Sequence, residues 1–461
     1  MDRPNFKQFS KIFLPVMFLL AIVSITGYIE RLFLADFSED ALAGSLNGFF
    51  LARVFQSACI SAIVVGQAFV GLYHGANQLK SIGPCVWQLI WFSLLSMILV
   101  VPLGFFSEQI LSFIFESIFH LKTSVASSES NYFSLLCIFN FLFPMGSALT
   151  AFYLGRGITQ PIVFLTIGIC LLNIGLDFVL IFGWGIIPAL GETGAALGRV
   201  LSQALLCVIL LTAFLARSNR EKYSTSLWKF SPSLFWHYIR PGVIRGLGAF
   251  PALGDWVLVS HFMSAKSEAH SLVFSIGSTI FYLLTFIGDG LLQTTVTTAS
   301  NQIGKKDYSK VWNSYFSGLV LLSIFALILV FPFFIFPQTF ISCFKFSSFY
   351  PQLAAVFSQM SPWLWLAVIA YGLNTVSLGL IVAARDTLFL FCCYCGLWMV
   401  SFVPVYMTMN WLHWPAEWFW LIVMGTNLSV ATAFVWRASK ERWKAESWQP
   451  KLPALDMPSA N

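Results

Sequence analysis

Eight ionisable side chains stand inside apolar runs that hold almost no other charge: Glu30, Arg31, Arg53, Asp177, Arg199, Arg245, Asp255 and Asp289. A charged residue at the centre of a membrane helix costs roughly 2.5–3.5 kcal/mol on insertion scales, so such residues face a partner or a water-filled cavity and mark ion or proton paths. Asn173 and Asp177 lie four residues apart in the run from Pro161 to Ile187, which puts them on one face of a helix. Amide and carboxylate oxygens so placed suit a hard cation such as sodium, or a hydrogen bond to a protonated acid. The next apolar run starts near Gly194 and carries Arg199. Four acids and four arginines allow neutral pairing, and Glu30 and Asp177 are expected to meet Arg53 and Arg199 across a cavity of the first half. Burial and a neighbouring cation pull a carboxyl group's proton affinity in opposite directions, so such a cluster can take up an ion in one state and release it in another.

Positioning these groups takes membrane-spanning helices. Of 461 residues, 58% are hydrophobic and 10% charged, and the mean hydropathy is +0.78, which excludes a water-soluble globular domain. Apolar runs of about 18 residues or more, broken by Gly, Pro or charge, predict an all-α polytopic protein of twelve helices. They fall near 12–34, 46–73, 84–106, 130–154, 161–185, 194–216, 234–262, 271–298, 312–336, 354–383, 388–410 and 415–437. The first run outlasts the core of a signal peptide and no small-residue cleavage site follows it, so a retained helix is expected. The nine cysteines lie almost all in apolar runs, which argues against structural disulfides. Cys392-Cys393-Tyr394-Cys395 fits no zinc spacing and reads as helix packing.

The loops give the orientation. Apart from Arg31, Arg53, Arg199 and Arg245 in the spans, and Lys122, Lys266 and Lys345 in alternate loops, all of the 26 lysines and arginines fall on the side of the two termini. The positive-inside rule then makes both termini cytoplasmic, which needs an even number of spans. It also accounts for the net charge of +6 without nucleic acid, with anionic lipid head groups as neighbours.

The chain also repeats itself. Ile98-Leu99-Val100-Val101-Pro102 returns as Ile328-Leu329-Val330-Phe331-Pro332 at an offset of 230 (328 − 98). Arg156 answers to Arg385 at 229 (385 − 156), and Trp184 and Pro188 answer to Trp411 and Pro415 at 227. Offsets so nearly equal, in equivalent places, predict two duplicated halves in the same orientation, a build that puts a substrate path near the midplane. The expected divisions are residues 1–216 with helices 1–6, a cytoplasmic connector 217–233, residues 234–440 with helices 7–12, and a cytoplasmic tail 441–461.

Enzyme signatures are missing. Gly304-Lys305-Lys306 lacks the upstream glycine and following Ser or Thr of a phosphate loop. His413 and Glu417 in HWPAE lack the second histidine of a zinc protease, and Pro415 interrupts them. No catalytic constellation of a membrane acyltransferase is present, and no ATP-hydrolysing domain, so transport would draw on an ion gradient or be passive.

The chain resembles the MATE (multidrug and toxic compound extrusion) transporters from its first helix to about Arg437. Glu30-Arg31-Leu32-Phe33-Leu34 through Ala41-Leu42-Ala43 looks like that family's acid-bearing first helix and the turn after it. Gln67 with Tyr73-His74-Gly75-Ala76 is similar to the close of its second helix, and Tyr153-Leu154-Gly155-Arg156-Gly157 through Pro161 to its Arg-Gly loop. Asn173, Asp177, Gly183-Trp184-Gly185, Pro188, Leu190-Gly191 and Gly194-Ala195-Ala196 match its fifth and sixth helices best. The resemblance implies a two-lobed, V-shaped antiporter that exports amphipathic, often cationic compounds in exchange for protons or sodium. It implies an ion site at Glu30, Asn173 and Asp177, no cofactor beyond the coupling ion, a monomer in the cell membrane, in bacteria the inner one, and a small-molecule substrate. Asp255 and Asp289 are candidates for its second-half acid.

Two departures matter. The first-helix acid is Glu30 rather than Asp, and Arg199 stands where the family has a small hydroxyl residue. An arginine beside the acids repels sodium and can act as an internal cation, which favours a proton, or an exchange in which Arg199 and the cation compete. Arg31, Arg53 and Arg199 also fit the alternative of a flippase or exporter of an anionic, for example lipid-linked, substrate within the wider superfamily.

Overall fold

The computed structural model describes residues 3–112, 126–342 and 353–444. Glu116, Lys122, Cys343, Lys345, Lys451 and the tail beyond Lys444 lie outside the described residues. The described residues are almost wholly helical. We number the principal helices α1 (Arg3–Phe37), α2 (Glu39–Gly75), α3 (Ile82–Leu95 with Met97–Phe105) and α4 (Ala126–Ile138 with Leu142–Leu154). They continue as α5 (Gln160–Phe182), α6 (Gly191–Phe214), α7 (Pro232–Leu247 with Ala249–Lys266) and α8 (Glu268–Gly304). The last are α9 (Val311–Val330), α10 (Leu353–Ala383), α11 (Thr387–Cys395, Leu397–Val400 and Phe402–Asn410) and α12 (Phe419–Ala438). Among the described residues, 10 helices are long and apolar enough to cross a membrane, and α4 and α11, bent by 47° and 50°, bring the number to 12 when each is counted as one span. Together these are the twelve that hydropathy predicts. The ends of α1, α2 and α8 run several residues beyond the apolar runs, because hydropathy sees the hydrocarbon-crossing part and the caps lie outside it.

Two compact units emerge, one of residues 22–246 and one of residues 1–21 with 247–450. Their borders fall inside α1 and α7 rather than in the polar connector. In the first unit the opening of α7 lies on α2, where Gly242 and Gly246 sit on the carbonyls of Ala62 and Ala58; an added Cβ would come within 2.4 and 2.5 Å of them. Small residues at i and i+4 on both helices allow this approach. Arg245 Nη1 donates to the Ser61 carbonyl at 2.9 Å, and the Tyr73 and Tyr238 hydroxyls meet at 2.8 Å. In the second unit the opening of α1 lies on α8 in the same way, with Gly290 against Met17 and Phe13, and Phe13 packs on Phe325 at 5.7 Å.

The repeat is sharper in the caps than in the motifs. Ser38 and Ser267 are 229 apart (267 − 38), both are extended N-cap residues, and both side chains accept a backbone N–H, from Ala41 and His270. At the other ends of α2 and α8, Asn77 and Lys306 take left-handed φ values of 58° and 60°, again 229 apart. A short 3-10 turn follows each, Leu79–Ser81 and Tyr308–Lys310.

The connector is bound down on the first unit. Trp87 Nε1 donates to the Thr225 carbonyl at 2.7 Å, Gln88 Nε2 to that of Lys229 at 3.1 Å and Trp91 Nε1 to that of Trp228 at 2.9 Å. Positions 87, 88 and 91 share one face of α3, so one helical stripe fixes a run of main chain. The described cysteines are free thiols.

Candidate functional site

Five helices of the 22–246 unit converge on one charged cluster. The close approach of α5 and α6 is set by a tight hairpin and by two glycines. Gly183 and Gly185 adopt φ of 80° and 61°, Trp184 and Ile187 exchange backbone hydrogen bonds, and Leu190 N–H returns to the Leu180 carbonyl at 3.0 Å. Gly194 and Gly198, one turn apart on α6, then face α5: a Cβ on Gly194 would stand 2.4 Å from the Leu180 carbonyl oxygen, and one on Gly198 would stand 2.2 Å from Asp177 Oδ1. Helix α1 is held against α5 by edge-on rings, Phe33 on Phe178 and on Phe182, both at 5.9 Å. Glu30 lies one turn from Phe33, and Asp177 adjoins Phe178, so these contacts fix the depth of both acids.

Both acids are buried, Glu30 to 4% and Asp177 to 1% exposure. Glu30 is fully engaged: its Oε2 accepts from Arg199 Nη2 in an ion pair, and its Oε1 accepts from the Tyr132 hydroxyl of α4 at 2.8 Å. Asp177 is half engaged. Asn173 Nδ2 donates to its Oδ1 at 2.9 Å, while its Oδ2 is buried with no donor. Arg199 Nε is likewise buried with no acceptor. The guanidinium of Arg199 rests over the Phe49 ring of α2 at 4.9 Å, and that of Arg53 approaches the same ring at 5.7 Å. Arg31 adjoins Glu30 on α1 and is half-buried at the edge of the same cluster.

The structure thus brings together Glu30, Arg31, Arg53, Asn173, Asp177 and Arg199. The expected meeting of acids and arginines is specific: Arg199 takes Glu30, and Arg53 lies on Phe49. Asp255 and Asp289 stand in the other unit. Asp289 Oδ1 accepts from the Tyr371 hydroxyl at 2.8 Å, whereas Asp255 is buried beside Ser401 and the Phe402 backbone, with Oδ1 lacking a partner. Tyr132, Phe49 and Gly198 carry no mark in the sequence, because a tyrosine, a phenylalanine or a glycine in an apolar run reads as packing. No cluster of three or more His, Cys, Asp or Glu able to hold a metal ion occurs among the described residues.

A multi-pass helical membrane protein built from two repeats, with charges buried inside a repeat, has the build of a secondary transporter. Comparison with known proteins gives the family. The MatE family model matches residues 15–179 and 255–407, well over half of the chain, and the chain belongs to that family. Relatives named "Probable multidrug resistance protein NorM" are 22% identical in Bacillus subtilis, over 61% of this chain and 63% of that protein, and 23% identical in Thermotoga maritima, over 73% and 72%. The chain therefore spans under two thirds of the Bacillus subtilis relative's length. The eukaryotic MATE transporter AtDTX14 superposes with a TM-score of 0.83 at 16% identity, covering 96% of this chain and 97% of that one. A Pyrococcus furiosus transporter of the MOP superfamily, whose solved structure is described by the reverse polarity of its binding pocket, superposes at 0.76 and 16% identity, covering 96% and 97%. At such identities these structures show the fold, and the family is one of transporters rather than enzymes.

Proposed function

We propose that the protein is a proton-coupled antiporter that exports amphipathic organic compounds across the cell membrane, in a bacterium the inner membrane, with both termini in the cytoplasm. The observation that carries this is the unequal treatment of two neighbouring acids. Arg199 and Tyr132 satisfy Glu30, while a buried oxygen of Asp177 has no donor. A buried carboxylate oxygen without a donor is costly as an anion and is satisfied by a proton of its own. Asp177 is therefore the proton carrier, and Glu30 is the anion that holds Arg199 away from it. When Asp177 gives up its proton, the unused Nε of Arg199 supplies a cation within the same cluster, and the helices carrying the two groups, α5 and α6, are those that must adjust. Arg199 stands where a sodium ion would need oxygens, and Asn173 turns an N–H rather than an oxygen to Asp177, which favours a proton over sodium.

The names of the relatives, multidrug resistance proteins, support an organic substrate. The reverse polarity described for the Pyrococcus furiosus pocket leaves the sign of the substrate's charge open within this fold. One elementary charge moving through about 100 mV supplies roughly 2.3 kcal/mol, enough for a substrate gradient of about fifty-fold.

The test is dye transport by the purified protein in proteoliposomes, with rhodamine 110, which carries a free carboxylate, and its methyl ester rhodamine 123. A proton gradient and a sodium gradient are imposed separately. Dye movement that follows the proton gradient, and is lost in Asp177→Asn while the variant stays folded and inserted, is the expected result. Normal uphill efflux by Asp177→Asn, or movement of neither dye under either gradient, would overturn the reading.

A further inference from the structure

The connector is fixed to α3 more closely than a loop in water needs. At the start of α3 an added Cβ on Gly83 would clash with the carbonyl oxygens of Tyr223 and Ser224, so the chain lies flush on the helix. Further along, Trp87, Gln88 and Trp91 take the carbonyls of Thr225, Lys229 and Trp228. The N–H groups of Leu227 and Trp228 turn back to the carbonyls of Ser224 and Ser226 at 3.1 and 3.0 Å, and Ser231 N–H reaches Gln88 Oε1 at 3.4 Å. These α3 residues lie inside the membrane span Leu79–Phe105. Irregular main chain at membrane depth must have its polar groups satisfied by protein, and two indoles and an amide meet that need here.

With the main chain held on α3, the side chains of Leu227, Trp228, Lys229 and Phe230 are exposed, Trp228 to 62%. Their order along α3 is that of a phospholipid. The short helix Arg217–Tyr223 packs at the start of α3, with Arg217, Arg220 and Lys222 exposed. Deeper come Lys229, whose carbonyl is at Gln88, and Trp228, whose carbonyl is at Trp91. From Arg217 to Ser233 four bases stand against one acid, Glu221, a net charge of +3 (4 − 1). Glu221 is taken by Arg217 at 3.0 Å. Arg220 Nε bonds the Leu215 carbonyl at 2.6 Å and Lys222 lies over the Tyr223 ring at 5.5 Å, contacts that leave both charges in place.

From this we infer that the connector is a binding surface for an anionic phospholipid, with the head group among Arg220, Lys222 and Lys229 and the acyl chains on Leu227, Trp228 and Phe230. Lys229 can lay its stem along the apolar patch and raise its ammonium to the phosphate. Exposed aromatic rings beside a run of bases are the chemistry of an interfacial anchor on an anionic leaflet. Neither the coupling ion nor the exported compound enters this assignment.

The experiment is tryptophan quenching in proteoliposomes of phosphatidylcholine. Brominated phosphatidylglycerol, or brominated phosphatidylcholine, is titrated into the lipid around the full-length protein. Bromine quenches an indole that it touches, so the quenching lost in Trp228→Phe reports lipid at this surface. Brominated phosphatidylcholine competes with its own kind and half-quenches Trp228 near a mole fraction of about one half. Each base near an anionic surface contributes about fivefold in affinity, so brominated phosphatidylglycerol should reach the half-point at a mole fraction at least about tenfold lower. Lys229→Gln should raise that half-point about fivefold. Replacing Arg220, Lys222 and Lys229 together by Gln should make the two lipids equal, while Trp228 stays open to brominated phosphatidylcholine, which shows the variant folded. Raised salt should narrow the preference in the wild type. Coincident curves for the two lipids in the wild type, which need no variant to fold, would overturn the inference. So would a Trp228 that neither lipid quenches, a preference that salt leaves unchanged, or a preference kept by the triple variant.

Discussion

Gly198→Ala tests the coupling site without altering any charge. The new methyl carbon would stand 2.2 Å from Asp177 Oδ1 and 3.4 Å from its Cγ and backbone N. Ordinary contact begins near 3.4 Å, so the carboxylate or the α6 backbone must move by about 1.2 Å. Overpacking of this kind costs about 1–3 kcal/mol. Rotation of the carboxylate would also break its hydrogen bond from Asn173, and a bond to an ionisable group is worth about 1.5–3 kcal/mol, or ten- to a hundredfold in the balance between its two proton states. Gly194→Ala is the control. Its methyl would meet backbone atoms, the Leu180 carbonyl oxygen and carbon at 2.4 and 2.5 Å and Ile181 N at 2.9 Å, so the same helix pair is strained at least as much one turn away from the acid. Both variants should lower the thermal midpoint, Gly194→Ala by at least as much as Gly198→Ala. Proton-driven dye efflux in proteoliposomes should fall about tenfold or more in Gly198→Ala and less than threefold in Gly194→Ala. Equal losses in the two, or wild-type coupling in Gly198→Ala, would show that the position of Asp177 is not what the glycine protects.

Two further substitutions bear on the cluster. Tyr132→Phe removes the 2.8 Å hydrogen bond to Glu30 and should slow efflux two- to tenfold; in a Glu30→Gln background it should change little, and simple additivity in that double-mutant cycle would place Tyr132 outside the network. Arg199→Thr removes the internal cation and adds a hydroxyl oxygen beside two acids, so efflux should become responsive to a sodium gradient, and a folded variant driven by protons alone at the wild-type rate would refute the role given to Arg199.

The fold was legible because membrane helices announce themselves by composition alone. The two bends, in α4 and α11, were not, since Asn140 and Gly396 sit in runs as apolar as their neighbours. Of the site, Glu30, Asn173, Asp177 and Arg199 stood out as costly residues in an apolar setting. Which arginine would take which acid was not readable, because pairing depends on helix rotation and depth, and these come from the Phe33–Phe178 and Gly194–Leu180 contacts between distant segments. Tyr132 is visible only through its partner. The repeat was read from Pro and Trp motifs at offsets of 227 to 230, whereas Ser38 and Ser267, each before an acid, give the offset of 229 through cap chemistry that a hydropathy reading passes over.

The borders of the compact units inside α1 and α7 have a consequence for how such a chain arose. Phe9, Phe13 and Val16, fully buried near the start of the chain, complete the core of the unit formed by the second half. Tyr238, Ile239, Gly242 and Gly246, from the second half, complete the core of the first. Neither half closes its own interior. A half-length ancestor would meet the same need by lending its opening segment to a second copy, as in a domain-swapped pair. Fusion of the two copies through the connector then makes that loan permanent, and fragments cut within residues 217–233 would have to find each other to fold.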